Sequence, residues 1–251
     1  MLDLPPLVAP TPPVIPAQEG VRCGAAIMDV FLPSEGPDAP AVILWHGEAA
    51  DAASDWGLRE DVRSCRPFRG WAGLLTHRGL RVAAVSHRTS AGWTDPEAPA
   101  EDFRQVAARL SSDEPLGVLA FSGGIPVAYT LGQSECAVIV TAYGPLDLGA
   151  AAYRQHNRGM TEELEATWSP LRRVSAASPP HLHLEPANDW LPNGTARFKA
   201  RAEEVGASFE LAVHPSGIHG FDFLCDDDFT RQMISRACDL FEEVLLNQLR
   251  P

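Results

Sequence analysis

The sequence predicts an α/β protein: a mostly parallel sheet with helices on both faces. Three observations predict it. Short continuous apolar runs recur along the chain, among them "AVILW" (41–45), "LGVLAF" (116–121) and "AVIVTAY" (137–143). Runs of this length and composition are strands covered on both sides. Segments with helical spacing of apolar residues stand between the runs, so strand and helix alternate and parallel pairing follows. The chain is 251 residues long and 45% hydrophobic, enough for one such core.

The elements run in order along the chain. Residues 1–18 are rich in proline and read as an extended arm before a single domain over 19–251. "CGAAIMDVFLP" (23–33) reads as an early strand, and "SEGPDAP" (34–40) as a turn cluster before "AVILW". In "FRGWAGLLTHRG" (68–79), Phe68, Trp71, Leu74 and Leu75 share a helix face and Gly79 supplies the stop. "LRVAAVS" (80–86) is a strand, and "PAEDFRQVAARLSS" (99–112) a helix with acids in its first turn. "LGVLAF" leads into a helix over "GGIPVAYTLGQ" (123–133), where Pro126 is tolerated near the start. After "AVIVTAY" the rhythm breaks. Residues 144–179 form a long insert in which "TEELEATW" is helical; a flap or cap that shapes a pocket and a packed structural helix are equally open readings of it. The rhythm resumes with the strand "HLHLE" (181–185), the helix "TARFKARAEEVG" (195–206) and the strand "SFELAVHP" (208–215). A closing helix spans 226–249, its three aspartates placed where a helix dipole favours anions.

Composition excludes several classes. A net charge of −13 argues against a nucleic-acid surface, which needs basic residues to neutralise phosphates. No apolar run reaches the length of a membrane span, and the N-terminus lacks the basic residues of a signal peptide. The five cysteines are odd in number and form no C-x-x-C pair. Small buried hydrophobes in a reducing, cytoplasmic compartment are therefore expected, not a disulfide framework or a zinc site.

In an open parallel sheet, ligands sit at the carboxyl ends of the strands. Candidate groups should come after strands there, and three do. Ser122 lies between the strand "LGVLAF" and a helix, the strand–turn–helix setting of a nucleophile elbow, with small Ala120 and Gly124 on either side. Alone, "SGG" is equally a plain glycine turn. His219 sits in the Gly-rich loop "HPSGIHGFD" (214–222), whereas His214, nearer the strand, reads as structural. Asp189 comes after "HLHLE" in "PANDWLP", with Asn188 and Glu185 as alternatives and a backbone-capping turn as the plainer reading. Ester hydrolysis needs a nucleophile, a base, a group orienting the base, and donors to the oxyanion. Ser122, His219 and Asp189 fill the first three roles. The amides of Gly123 and Glu48 are assigned the fourth, with Ala49 as the near alternative to Glu48. His46 reads as a loop brace.

The segments "VILWHG", "GLLTHRGLRVAAVSHR", "LGVLAFSGG", "SPPHLHLEPANDWLP" and "VHPSGIHGFD" together resemble the α/β-hydrolase superfamily. Within it the chain is most similar to dienelactone hydrolase-like and prolyl-oligopeptidase-like serine esterases. The resemblance runs from about residue 23 to 247 and includes the order Ser, Asp, His along the chain. It implies an α/β-hydrolase fold with a central eight-stranded, mostly parallel sheet, and no cofactor or metal. The chain departs from the family pattern at Ala120 and Pro186, where glycines are usual. It carries serine where strict dienelactone hydrolases have cysteine, and it reads "HGEA" where hormone-sensitive-lipase-like esterases read "HGGG".

The expected activity is hydrolysis of a small carboxylic ester or lactone through an acyl-enzyme. A thioesterase with the same triad and a non-catalytic hydrolase-fold binding module are the competing readings. A peptidase lacks room for its accessory domain. A metal site on "HLH" (181, 183) or "DDD" (226–228) lacks a third ligand at suitable spacing. The expected partner is a small-molecule substrate, with no nucleic acid and no membrane; a homodimer remains an option for assembly.

Overall fold

The computed structural model describes residues 15–34, 36–47, 61–111, 114–157 and 159–246. Expectations for residues 1–14, for Glu48 and Ala49, for Ser112 and for 247–249 fall outside them. Eight strands are present: β1 (Gln18–Cys23), β2 (Ala26–Phe31), β3 (Ala41–Trp45), β4 (Arg81–Ser86), β5 (Leu116–Phe121), β6 (Val138–Ala142), β7 (His181–Pro186) and β8 (Phe209–His214). They form one sheet in the order β1-β2-β4-β3-β5-β6-β7-β8. β2 pairs antiparallel with β1 and with β4, and every pair from β4 to β8 is parallel.

Alternation along each strand divides the core in two. Val42 and Leu44 of β3, Val82 and Ala84 of β4, and Leu119 and Phe121 of β5 face one side. There they meet α1 (Arg66–His77) through Phe68, Trp71 and Leu75, and the C-terminal helix through Phe241. Ile43 and Trp45, Ala83 and Val85, and Val118 and Ala120 face the other side. These meet Phe103 of α2 (Glu97–Leu110), Tyr129 of α3 (Ile125–Glu135) and Phe198 of a later helix, Thr195–Val205. Every residue of β3 and β5 is buried, as the continuous apolar runs predict. Gly117 lets the last helix approach β5 closely: a Cβ there would lie 2.9 Å from the Phe241 ring. α1 begins with Pro67 in its first turn and ends where Gly79, at φ 83, reverses the chain; the amides of Gly79 and Leu80 then reach the carbonyls of Thr76 and Leu75.

The N-terminal expectation needs correction. Residues 23–33 are not one strand but the turn and second arm of a hairpin, with Cys23 paired to Ala26 and Gly24 at φ 61 between them. Most of β1 is exposed, so it lacks the hydrophobic alternation that marks a strand in sequence. The helix expected from Gly123 begins as a tight 3-10 turn over Ser122–Gly124 and becomes α3 at Ile125.

The insert folds as α4 (Ala151–His156), α5 (Glu162–Trp168) and α6 (Pro170–Arg173). Thr161 caps α5 by accepting from the Leu164 amide at 3.2 Å. Tyr153, Met160 and Trp168 of the insert pack with Trp93, Val127 and Leu191 in a third apolar cluster. The Trp93 indole N–H donates to the Tyr153 hydroxyl at 3.0 Å. Glu165 is buried but ion-paired to Arg154 and Arg172; the two guanidinium groups outweigh the burial and hold its carboxyl below the usual range. The remaining helices are α7 (Thr195–Val205), α8 (Phe221–Leu224) and α9 (Asp228–Phe241), which runs on as a π turn over Glu242–Leu246. Asp227 caps α9, accepting from the Thr230 amide at 2.9 Å. His214 is fully buried and bonded to Asp227 and Thr230, the structural role its position suggested.

None of the five cysteines forms a disulfide, and four of them, Cys23, Cys65, Cys136 and Cys238, are buried. No helix among the described residues is long and apolar enough to cross a membrane.

Candidate active site

β5 ends at Phe121, and the chain turns at once into α3. The turn is made by Ser122 at φ 51, a region that side chains other than glycine rarely occupy. Close packing on three sides holds that conformation. A Cβ on Gly47 would lie 2.8 Å from the Ser122 Cβ, one on Gly124 would lie 2.0 Å from the His46 carbonyl oxygen, and one on Gly144 would lie 2.3 Å from the Ser122 carbonyl oxygen. Glycine at these positions lets the loops after β3 and β6 close on the elbow. Ala120, standing where a glycine is usual, is fully buried in the core without conflict.

His219 and Asp189 come from the loops after β8 and β7. Those loops are tied together: the Ala187 amide donates to the His214 carbonyl at 3.0 Å, and the Asn188 amide to the Gly217 carbonyl at 2.9 Å. His219 Nδ1 lies 3.0 Å from both oxygens of Asp189, and its Nε2 lies 2.9 Å from Ser122 Oγ. A carboxylate only accepts, so Nδ1 carries the proton and Nε2 accepts from the serine hydroxyl. Asp189 Oδ1 also accepts from the Leu191 amide at 2.8 Å, which fixes the carboxylate on its loop. The Asp189 side chain is 4% exposed and that of His219 11%. Asn188 and Glu185 lie elsewhere in the network: Glu185 accepts from the Asn193 side chain at 2.6 Å.

Gly123 is buried directly after the serine, at the N-terminal end of the turn leading into α3. Glu48, expected to supply the second oxyanion donor, is outside the described residues. His46 braces the neighbourhood. Its ring stacks on His87 at 3.6 Å, and His87 stacks on Trp45 at 3.6 Å. His46 Nδ1 donates to the Gly47 carbonyl at 2.7 Å, and its Nε2 accepts from the His87 amide at 3.2 Å.

Sequence reasoning missed two buried groups that pack beside His219. Tyr143, at φ 43, sets its ring edge-on to His219 at 4.9 Å and also touches Phe121 and Phe221. Asp222 is buried three residues beyond His219, where it accepts from the Trp71 indole N–H at 2.8 Å and lies beside the Tyr143 hydroxyl. Burial pushes the Asp222 carboxyl up to about 6, against the pull of its donors. The one trace in the sequence is an acid inside the apolar string "GFDFL".

Histidine burial makes the fold acid-sensitive. His46, His87, His181 and His183 are all buried, and desolvation lowers each below its usual value, His183 to about 3. The last two share the Thr141 hydroxyl, at 2.7 and 2.8 Å. Their contribution to stability is present above the unfolded value of about 6.5 and is lost as pH falls towards the folded one. Asp222 has the opposite sign: its folded value is raised, so it gains as pH falls through about 6. Four histidines outweigh one aspartate. Urea unfolding should show lower stability at about pH 5 than at about pH 7.5, with about 2 kcal/mol of the loss from His183 alone. Equal stability at the two pH values would mean that the buried histidines do not govern acid sensitivity.

No protein-family model matches the chain, and no curated protein matches it in sequence. Solved structures match over nearly its whole length. It is similar to an acetyl ester-xyloside bifunctional hydrolase from Caldicellulosiruptor lactoaceticus, at a TM-score of 0.70 and 18% identity, covering 96% of each chain. It is similar to esterase 2 of Thermogutta terrifontis, at a TM-score of 0.67 and 16% identity, covering 94% of this chain and 95% of that one. A truncated carbohydrate esterase from gut microbiota gives a TM-score of 0.71 at 17% identity, covering 97% of this chain and all of that one. At such identities the likeness is one of fold, and the fold is that of the α/β-hydrolases.

Proposed function

We propose that the protein is a serine-dependent carboxylic ester hydrolase. The observation that carries this reading is the continuous hydrogen-bonded line from Asp189 through His219 to Ser122, with the serine held at positive φ on the end of a buried strand. In the first step Ser122 Oγ bonds to the ester carbonyl carbon while His219 Nε2 takes its proton. Asp189 holds the imidazole in the required tautomer and stabilises the imidazolium. The oxyanion is received by the Gly123 amide, aided by the N-terminal end of α3, together with an amide of the loop after β3, assigned to Glu48. His219 then gives its proton to the leaving alcohol. In the second step His219 takes a proton from water, whose oxygen attacks the acyl-enzyme, and Ser122 leaves with that proton restored.

Esters are favoured over lactones and thioesters because neighbours in fold are named as an esterase, a carbohydrate esterase and an acetyl ester-xyloside bifunctional hydrolase. One neighbour is described as phosphonylated by sarin, the behaviour of an activated serine. The insert at 144–179 is assigned one wall of the proposed site; this is supported by Gly144 abutting the Ser122 carbonyl, and Leu148, Tyr153 and Met160 pack the rest of the insert into the third apolar cluster. Five cysteines without a disulfide suit a reducing compartment such as the cytoplasm. A fluorophosphonate probe tests the reading. It should label the wild-type chain at Ser122 and leave Ser122→Ala unlabelled, and absence of labelling in the folded wild type would favour a binding module.

A further inference from the structure

Among the described residues, five large hydrophobic side chains are prominently exposed: Ile15, Trp190, Val213, Ile218 and Phe229. Two of them directly adjoin a member of the triad in sequence. Trp190 comes directly after Asp189 and is 63% exposed; Ile218 precedes His219 and is 45% exposed. Isolated exposed hydrophobics are ordinary, but apolar groups gathered at a reactive centre mark a contact surface. The Trp190 ring lies 5.3 Å from that of His219, tilted by 45°. Its backbone is fixed on both sides. Asp189 is held by His219, and Leu191 donates its amide to Asp189 and is buried with Trp93 and Met160. A largely exposed indole on a clamped backbone offers a surface that loses little ordering entropy when a ligand lies against it.

We infer that Trp190 is a platform for the alcohol half of the ester, and that this half is a neutral, ring-bearing alcohol lying flat on the indole. The inference rests on the acyl-transfer reading above. His219 must deliver its proton to the leaving oxygen, so the alcohol half lies beside His219, where Trp190 is. The indole face is electron-rich and attracts the weakly positive C–H faces of a pyranose or the edge and offset face of an aryl ring. An anionic alcohol is disfavoured there by the same face and by the chain's net charge of −13. A short acyclic alcohol covers little of the indole and gains little from it.

The test measures kcat/KM for acetates of three alcohols: phenyl acetate, an acetylated methyl xyloside and ethyl acetate. Each ring-bearing substrate is expressed as a ratio to ethyl acetate, so the ratio is independent of the fraction of active enzyme. In Trp190→Ala the ratio should fall about tenfold for at least one ring-bearing substrate, mainly through KM, and Trp190→Phe should restore most of it. The substrate whose ratio falls identifies the ring as aryl or sugar. Ratios within about threefold of wild type for both overturn the platform, since stacking predicts more. Ser122→Ala is assayed alongside. Hydrolysis that survives there overturns the acyl-transfer reading itself, whereas a silent Ser122→Ala with flat Trp190→Ala ratios overturns the platform alone.

Discussion

Replacing Ser122 with alanine is expected to reduce kcat on an activated ester such as p-nitrophenyl acetate by a factor on the order of 10³ to 10⁶. The change removes one oxygen, and with it the atom that bonds to the acyl carbon. His219 then faces a methyl group, and its hydrogen bond to Asp189 is untouched. The remaining donors still bind the carbonyl, so residual catalysis by water is the floor of the range. The fold should tolerate the change, because alanine keeps the Cβ against which Gly47 is fitted and leaves untouched the backbone carbonyl against which Gly144 packs. It should also relieve nothing at φ 51, since the backbone there is set by the surrounding turn. Circular dichroism that matches wild type beside the lost turnover is the expected pair of results. Turnover within about tenfold of wild type would remove Ser122 from the mechanism.

Gly124→Ala is expected to produce the second-largest effect, by a different route. The added methyl would lie 2.0 Å from the His46 carbonyl oxygen, 3.0 Å from the carbonyl carbon, and 3.0 Å from the Trp45 ring. The first two atoms are backbone, so no side-chain rotation can relieve the contact. Either the elbow or the end of β3 must move by about 1 Å, and a displacement of that size near a reacting centre lowers rate by about a hundredfold. Overpacking of this kind costs about 1–3 kcal/mol of stability. Measurement of kcat together with a urea midpoint should show both falling. Unchanged values for both would mean that the loop after β3 is not packed against the elbow as described.

The fold was readable because β3, β5 and β6 are covered on both faces, and burial of that kind leaves a continuous apolar string. β1 was unreadable for the opposite reason: at the sheet's edge, with most side chains exposed, it carries no such string. The positions of Ser122, Asp189 and His219 were readable because each lies just after a strand, where an open parallel sheet presents its ligand groups. The surroundings of the histidine were not. Trp71 and Asp222 are 151 residues apart, and their hydrogen bond depends on α1 packing beside the loop after β8. Tyr143 looks like the end of a strand in sequence, and only its φ of 43 turns the ring towards His219. Periodicity describes how a segment meets the core; it carries no information about which distant side chain it meets there.

The arrangement of strands also bears on how the site would fail. Ser122 hangs on β5, flanked by strands on both sides, but His219 comes after β8, the last strand in the order, whose only strand partner is β7. Hydrogen bonds at a sheet margin open at lower free energy than those at its centre. Warming would therefore unfasten the margin first and carry His219 away while Ser122 stays seated in the middle of the sheet. Durability of turnover is in that sense a property of one border of the molecule, and reinforcement of the β7–β8 seam would extend working life more than any improvement to the interior.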